Sequence, residues 1–380
     1  MGATLGELAD KAERASTERA PTERARTNAL RGRTSYGSQM ADDATWFANE
    51  TAAATGPRGA TYLEAIRAAL EDELESDDRV VLLGEDIGHM GGAFRVTEGL
   101  HARFGSDRII DTPMAETAVV GAAIGLAAAG MRPIAELQFA DFVSCAYDQL
   151  VTEAAKLHYR FDVAVPMVVR APSGGDVGAG PFHSQNPEGT FAHVPGLKVV
   201  CPGSVQVAYD LLRAAVADPN PVLYFEHKAL YRSLRGPLER RAPQESLGHA
   251  AVRRAGSDVT VVTYGGMLPR CLDAAEDLAL EGIDVEVVDL RTVFPADHET
   301  VGESVERTGR LVVVHEDTLS SGIGAEIAAR VAEERFFSLD APITRVTAPD
   351  TPVPFARPLE LAYIPTVERI TTAIRTTAAA

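Results

Sequence analysis

The sequence predicts an α/β protein with two three-layer α/β domains, and three observations support this prediction. Short runs of Val, Ile and Leu alternate with segments of helical periodicity, as expected for a sheet that helices cover on both faces. The chain has 380 residues, of which 46% are hydrophobic, and this length exceeds what one ordinary core holds. Residues 236–256 are rich in Arg, Pro and Gly, and we interpret them as a linker between the domains.

The first predicted domain covers residues 59–235. Its strands are predicted from apolar runs at 79–83, 133–138, 165–170, 197–201 and 221–225. Its helices are predicted from periodicity at 61–75, 96–104, 116–130, 142–158 and 205–217. The helix over 116–130 is apolar on every face, so we expect it to be buried. The alternation is typical of a mostly parallel sheet.

The second predicted domain covers residues 257–380 and repeats the alternation on a smaller scale. Its predicted strands lie at 258–263, 285–289, 311–315 and 343–347. Its predicted helices lie at 268–281, 298–307, 324–336 and 365–374. Residues 1–58 precede both domains and have balanced charge and poor apolar periodicity. Residues 5–30 could form a charged helix, but we predict that residues 1–58 form a disordered or loosely docked extension that catalysis does not require.

Composition excludes several classes of function. The net charge of -18 argues against nucleic-acid binding, which needs clustered Lys and Arg. The longest apolar run, residues 118–131, is too short to span a membrane. Cys145, Cys201 and Cys271 are far apart, so we expect reduced thiols rather than disulfides or a metal site. No secretory signal is recognisable, and we expect a cytoplasmic protein.

The first candidate for chemistry is Glu116, which ends the segment Asp-Thr-Pro-Met-Ala-Glu at 111–116. Pro113 suits the first turn of a helix. A carboxylate at the start of a helix can simply complement the helix dipole, or it can be a functional group. The pattern alone leaves both roles open.

The second candidate is His183, which follows the Gly-rich segment at 173–181. Glycines after a strand let the backbone approach a ligand closely, but the spacing fits neither a dinucleotide fingerprint nor a phosphate-binding P-loop. A single His is often structural, whereas a His on a Gly-rich loop is also a candidate acid or base. No G-x-S-x-G elbow of a serine hydrolase is present.

Taken together, several segments resemble the beta subunits of pyruvate and branched-chain 2-oxo acid dehydrogenases. The likeness covers about residues 59–375. It is carried by LLGEDIG (82–88), DTPMAETAVVGAAIGLAAAGMRPIAELQFADF (111–142), GAGPFHSQNPEGTFAHVPGLKVVCP (178–202), DLRTVFPAD (289–297) and APDTPVPFARPLELAYIPTVE (348–368). The resemblance implies a thiamine-diphosphate pyrimidine-binding domain followed by a transketolase C-terminal-like domain. QFADF and HSQNPEGTFAH look more like the branched-chain type than the pyruvate type.

The resemblance also implies roles for single residues. Glu116 matches the glutamate that bonds the aminopyrimidine of thiamine diphosphate, and Met114, Gln138 and Phe142 match positions beside that ring. His183 matches the histidine that helps bind the 2-oxo acid and transfer the acyl group to lipoyl-lysine. A structural potassium site, built largely from backbone carbonyls, matches six residues: Val165, Met167, Val168, Ala215, Asp218 and Asn220.

One absence and one departure qualify the resemblance. The Gly-Asp-Gly…Asn motif that holds magnesium and diphosphate is missing from the sequence. In the family it belongs to an alpha subunit, so the resemblance implies a two-plus-two heterotetramer in which that subunit holds Mg²⁺. A lipoyl acyltransferase core is the further implied partner, and we expect the second domain to serve this assembly rather than chemistry. Residues 157–166 are about three residues shorter than is usual in the family.

Two other interpretations are compatible with the predicted fold. The chain could be the carboxy-terminal half of a transketolase-like or deoxyxylulose-phosphate synthase-like enzyme, which would need phosphate-binding arginines facing the cofactor. It could also be a non-catalytic scaffold, although the retention of both Glu116 and His183 argues against that.

Overall fold

The computed structural model of the protein describes residues 59–380. The predicted extension, residues 1–58, lies outside the described residues. Two short strands, β1 (Ala60–Thr61) and β8 (Arg235–Gly236), pair antiparallel. Two larger sheets with helices packed on them form the rest of the described fold. The predicted α/β class is confirmed.

The larger sheet consists of seven strands. They are β2 (Val80–Gly84), β3 (Ile109–Asp111), β4 (Arg132–Glu136), β5 (Val168–Ser173), β6 (Lys198–Val200), β7 (Val222–His227) and β12 (Thr292–Phe294). Their order across the sheet is β12–β6–β7–β5–β4–β2–β3. All neighbours run parallel except β12, which is antiparallel to β6.

The α-helices of this part of the chain are α1 (Tyr62–Ser76), α2 (Leu100–Phe104), α3 (Glu116–Ala128), α4 (Ala155–Phe161), α5 (Glu188–Ala192), α6 (Val205–Ala217) and α7 (Leu230–Ser233). Three of them, α1, α3 and α6, begin within one residue of the predicted positions, whereas α5 and α7 were not predicted. Thr61 and Glu64 form a reciprocal capping box that starts α1, and this arrangement satisfies two otherwise free backbone donors.

The smaller sheet consists of five strands in the order β14–β13–β10–β11–β9. They are β9 (Ala251–Arg254), β10 (Val259–Thr263), β11 (Val285–Asp289), β13 (Leu311–Thr318) and β14 (Thr344–Ala348). Its helices are α8 (Met267–Ala279), α9 (His298–Thr308), α10 (Ile323–Glu334), α11 (Arg357–Tyr363) and α12 (Val367–Ala378).

The structure differs from the sequence-based prediction at the linker. Residues 251–254, inside the predicted linker 236–256, form the edge strand β9. Edge strands commonly carry charged residues, and Arg253 and Arg254 hid the strand from an apolar pattern. In addition, β12 comes from the second predicted domain but joins the larger sheet. The domain limits therefore stay a prediction.

Two helical predictions are also wrong in part. The predicted helix 142–158 is divided into a 3₁₀ segment (Ala140–Ala146), a π-helical segment (Gln149–Ala154) and α4. Helix α3 is buried on one side only: Ala118, Ala122 and Gly125 lie on its exposed side. The apolar sequence of α3 predicts that the helix is buried, but it does not reveal whether the surface that buries it belongs to the same chain. Among residues 59–380, no helix is both long and apolar enough to cross a membrane.

Candidate active site

The candidate site lies where three neighbouring parallel strands end. The register pairs Glu136 of β4 with Arg170 of β5, and Ser173 of β5 with His227 of β7. The segments that follow these strands therefore leave the sheet at the same edge. In open α/β sheets ligands bind outside the carboxyl ends of the strands.

A buried ion-pair network fixes this edge of the sheet. The Arg170 guanidinium donates to both carboxylate oxygens of Glu226 at 2.6 and 2.8 Å and also to Glu136. The Tyr231 hydroxyl donates to Glu226 at 2.7 Å. Because burial of charges is costly unless they are paired, loss of Arg170 would leave the carboxylates of Glu136 and Glu226 buried without a cation.

Glu116 is the first residue of α3 and is half-buried. It makes no capping hydrogen bond, and within residues 59–380 its carboxylate has no hydrogen-bond or ion-pair partner. Burial raises the pKa of its neighbour Glu85, and the negative charges of Asp86 and Glu116 raise it further. A carboxylate held beside other carboxylates without a donor is available to a ligand, and the structure offers no capping role that would occupy it.

Helix α3 is tied to the 3₁₀ segment that carries Phe142. The Thr117 hydroxyl donates to the Cys145 carbonyl at 2.6 Å. Gln138 is half-buried and lies two residues before the start of this segment. Met114, two residues before Glu116, is 75% exposed. The pyrimidine-side residues predicted from the resemblance thus lie on α3, on the segment before it and on the 3₁₀ segment bonded to it.

His183 packs into a cluster of aromatic rings. Its ring centre lies 4.5 Å from that of Phe139 and 5.6 Å from that of Phe142, and the rings meet edge to face. Phe139 and Phe142 contact each other in the same way at 5.8 Å. The structure therefore brings together two residues, Phe142 and His183, that the sequence predicts for different roles. Phe139 was not predicted, although it stands next to Gln138.

A buried lysine lies on the other side of this cluster and was missed by the sequence analysis. The ammonium of Lys228 is 5.8 Å from the ring centre of Phe139, and the side chain is only 5% exposed. Burial lowers the pKa of Lys228 to about 8. Burial also raises the pKa of nearby Asp141, whose carboxylate accepts from the Gln185 amide at 3.3 Å. The sequence signal that could have identified Lys228 is its position directly after the strand β7.

The residues matched to a potassium site also lie close together, away from this cluster. The Val165 amide donates to the Pro219 carbonyl, and the Val222 amide donates to the Met167 carbonyl. The Asp218 carboxylate accepts from the ammonium of Lys198, so its charge is already neutralised. A cation at this place would depend on backbone carbonyls. Among the described residues, no group of three or more His, Cys, Asp or Glu could hold a metal ion.

Glu188 and Asp317 form an acidic pair, and the pH dependence of the protein's stability tests its protonation. Burial raises the pKa of Glu188 to about 8, and the charge of Asp317 raises it further. The Tyr264 hydroxyl donates to one oxygen of Glu188 at 2.9 Å, while the other oxygen is buried without a partner. The folded state therefore holds a proton that the unfolded chain releases near its ordinary pKa.

Because the folded pKa is raised, stability is greatest below the unfolded pKa and falls as pH rises from about 4.5 to 8. Glu188→Gln removes this titration. Between pH 5 and pH 8 we expect the free energy of unfolding to fall by on the order of 3 kcal/mol more in the wild type than in the variant. Urea unfolding of the full chain, followed by circular dichroism at both pH values, measures the difference. Equal pH slopes in the two proteins would mean that Glu188 is ionised when buried.

Comparison with known proteins gives the class of the fold. The transketolase pyrimidine-binding domain family matches residues 58–233, and the transketolase C-terminal domain family matches residues 248–370. A solved structure, a split-gene transketolase described as an inactive beta4 tetramer, aligns with a TM-score of 0.68. It is 23% identical and covers 84% of this chain and 99% of its own. The chain is thus a transketolase-type protein.

Relatives of similar length identify the family within this class of fold. The chain is 46% identical over 318 residues to the 2-oxoisovalerate dehydrogenase subunit beta of Bacillus subtilis, covering 83% of this chain and 97% of the relative. It is 44% identical over 299 residues to the pyruvate dehydrogenase E1 component subunit beta of Staphylococcus epidermidis, covering 78% and 92%. The chain belongs to the family of 2-oxo acid dehydrogenase E1 beta subunits, and the resemblance found in the sequence is confirmed.

A third relative acts on a different type of substrate. The acetoin:2,6-dichlorophenolindophenol oxidoreductase subunit beta of Cupriavidus necator is 47% identical over 325 residues, covering 82% of this chain and 96% of the relative. Overall identity therefore does not separate the substrates, and the substrate has to be sought in the site.

Proposed function

We propose that the chain is the beta subunit of a thiamine-diphosphate-dependent enzyme that oxidatively decarboxylates branched-chain 2-oxo acids. In this proposal the acyl group passes to lipoyl-lysine of an acyltransferase component. The observation that carries the proposal is the half-buried carboxylate of Glu116, which has no partner within residues 59–380. It stands on a helix bonded to the 3₁₀ segment that carries Phe142, and Phe142 contacts His183.

The residues present fit the aminopyrimidine end of thiamine diphosphate. A free carboxylate at Glu116 can share a proton with a ring nitrogen, and the face or edge of Phe142 can pack against the ring. Met114 and Gln138 complete this side of the proposed site. When bound, thiamine diphosphate supplies an electron sink for decarboxylation. The chain's own contribution is to orient the pyrimidine and to hold a proton at the Glu116 carboxylate.

His183 is proposed to act on the substrate side. Its ring is held edge-on by Phe139 and Phe142, which restricts its orientation while leaving it half-buried. A neutral imidazole can donate a hydrogen bond through one nitrogen and accept through the other. That capacity suits binding of a 2-oxo acid and proton movement during acyl transfer. The nearby Lys228 ammonium adds positive charge that favours a carboxylate substrate.

Partners complete the proposed enzyme. An alpha subunit is proposed to hold Mg²⁺ and the diphosphate in a two-plus-two heterotetramer, because the sequence lacks the Gly-Asp-Gly…Asn motif. A lipoyl acyltransferase core is the proposed acceptor complex. A potassium ion on backbone carbonyls of the group named above is part of the same proposal. So is a cytoplasmic location.

The test is a substrate series with the chain assembled with its alpha subunit. We expect kcat/KM for 3-methyl-2-oxobutanoate to exceed that for pyruvate by about tenfold, which corresponds to ~1.4 kcal/mol of transition-state binding. Turnover is measured with an artificial electron acceptor and, separately, by acylation of a lipoyl domain. Acetoin is included because a relative is named for it.

Each alternative outcome of this series is decisive for one part of the proposal. Preference for pyruvate would contradict the branched-chain assignment while keeping the reaction. Turnover of acetoin with no turnover of any 2-oxo acid would contradict the reaction itself. Turnover with the artificial acceptor but no acylation of the lipoyl domain would contradict the proposed acyl transfer.

A further inference from the structure

We infer that the second predicted domain positions the histidine of the site, and that Glu360 is the positioning residue through which it does so. The inference concerns the histidine loop, defined here as residues 174–183, which leaves the sheet after β5 and ends at His183. It rests on the proposed function, because the role of His183 belongs to that proposal. Nothing in the sequence of the loop indicates what holds it.

Backbone amides of the histidine loop are bound by the carboxylate of Glu360. The amide of Val177 donates to this carboxylate at 3.2 Å. The amide of Gly178 donates to its two oxygens at 3.0 and 3.1 Å. Glu360 lies on α11 and is completely buried. A carboxylate can accept several hydrogen bonds at once, and charge-assisted bonds are stronger than neutral ones.

An ion-pair network fixes the same turn of the loop. Asp176 has a left-handed backbone with φ of 65°, which is uncommon for a residue other than glycine. Its carboxylate is bound by Arg270 of α8 at 2.7 Å and by Arg357 of α11 at 2.5 Å. Arg357 also donates to Glu360 at 2.8 Å. The two acidic residues are therefore tied together across the turn.

The start of the loop is held by a second buried carboxylate. The amide of Gly175 donates to Glu316 of β13 at 2.6 Å. The same carboxylate accepts from the Asn186 side chain at 3.0 Å and bonds the imidazole of His227 at 2.7 Å. Glu316 thus connects the start of the histidine loop, and Asn186 just after its end, with the smaller sheet.

The last turn before His183 abuts the second predicted domain directly. A Cβ atom at Gly180 would lie 2.3 Å from the Phe355 ring, and φ at Gly180 is 69°. No side chain fits at this position without movement of Phe355. On its other side His183 meets the ring of Phe139 at 4.5 Å. The histidine ring thus contacts Phe139, while the turn that leads to it packs against Phe355 from the carboxy-terminal part of the chain.

The substitution Glu360→Gln tests this role in the full chain assembled with its alpha subunit. The amide keeps the size of the side chain but removes the charge and one acceptor. We expect acylation of a lipoyl domain to fall by about tenfold because the histidine is no longer held in place. Exchange of the thiazolium proton, which depends on Glu116, is expected to stay within about twofold. Amide exchange of a peptide covering the histidine loop, measured by mass spectrometry, should become faster.

A double-mutant cycle separates positioning from a general loss of structure. If Glu360 acts through His183, then Glu360→Gln should change acylation by less than about twofold in a His183→Ala background. The matched control is Glu368→Gln, an exposed glutamate of α12, which should leave all three measurements unchanged. If the Glu360 variant fails to assemble, Asp176→Asn replaces it, because Asp176 belongs to the loop and shares Arg357 with Glu360. We then expect the same slower acylation and faster amide exchange of the loop, with thiazolium exchange nearly unchanged.

The inference is overturned if acylation falls equally in the wild-type and His183→Ala backgrounds. Wild-type amide exchange of the loop in the Glu360 variant would also overturn it. A wild-type heterotetramer that turns over no 2-oxo acid would instead refute the proposed function. In that case the amide exchange still decides whether Glu360 anchors the loop, so the two failures are distinguishable.

Discussion

Replacing Glu116 by Gln is expected to slow proton–deuterium exchange at the thiazolium carbon by roughly 100-fold or more in the assembled enzyme. The carboxylate can share a proton with the pyrimidine nitrogen, whereas an amide cannot exchange protons in the same way. Glu116 makes no hydrogen bond or ion pair within residues 59–380, so its substitution removes no internal partner and the fold should persist. The measurement is NMR detection of the exchanging proton after rapid acid quench.

The control for this experiment is the same substitution at the exposed Glu368, which should leave the exchange rate unchanged. Circular dichroism and size-exclusion chromatography of the Glu116 variant verify folding and assembly. Exchange at the wild-type rate in a correctly assembled Glu116→Gln enzyme would remove this residue from cofactor activation. The half-buried carboxylate would then have to be explained by the helix dipole alone.

The elements that the sequence predicts best are those whose own residues define the pattern. Helix α6 (Val205–Ala217) and strand β11 (Val285–Asp289) have the predicted bounds. In α6 periodic apolar residues face a core, and in β11 a buried β-branched run needs no alternation. In contrast, β3 (Ile109–Asp111) and β12 (Thr292–Phe294) were missed. Both have three residues and lie at the two edges of the larger sheet, so they depend on pairing with one distant neighbour, which local sequence does not record.

The candidate site shows the same limit. Glu116 and His183 were found because each belongs to a distinctive segment. The contact of His183 with Phe139, the buried Lys228 and the anchoring of the histidine loop by Glu360 could not be predicted. Glu360 lies 182 residues from Gly178, and its carboxylate accepts a hydrogen bond from the Gly178 amide. Only the packing of the second predicted domain on the loop brings these residues together.

The isolated chain is expected to show no 2-oxo acid turnover, and addition of the alpha subunit is expected to restore it. The sequence has no Gly-Asp-Gly…Asn motif for magnesium and diphosphate. In the single chain Met114 is 75% exposed and Phe182, next to His183, is 72% exposed. The candidate site is therefore open on one side, next to a helix α3 whose apolar residues are partly uncovered. A site of this form excludes water only when a partner covers it, and exclusion of water strengthens the electrostatic contacts that the reaction uses.

Dye-linked decarboxylation measured over increasing alpha-subunit concentration, with thiamine diphosphate and Mg²⁺ in excess, tests this expectation. Activity should rise from background to a plateau at one alpha subunit for each beta chain, as a two-plus-two assembly requires. Omission of Mg²⁺ at the plateau is the control and should abolish turnover. Turnover by the purified beta chain at a rate similar to the plateau would show that this chain binds the diphosphate by itself. The proposal of a shared site would then be wrong, because this chain would have to supply ligands for magnesium and diphosphate without the Gly-Asp-Gly…Asn motif.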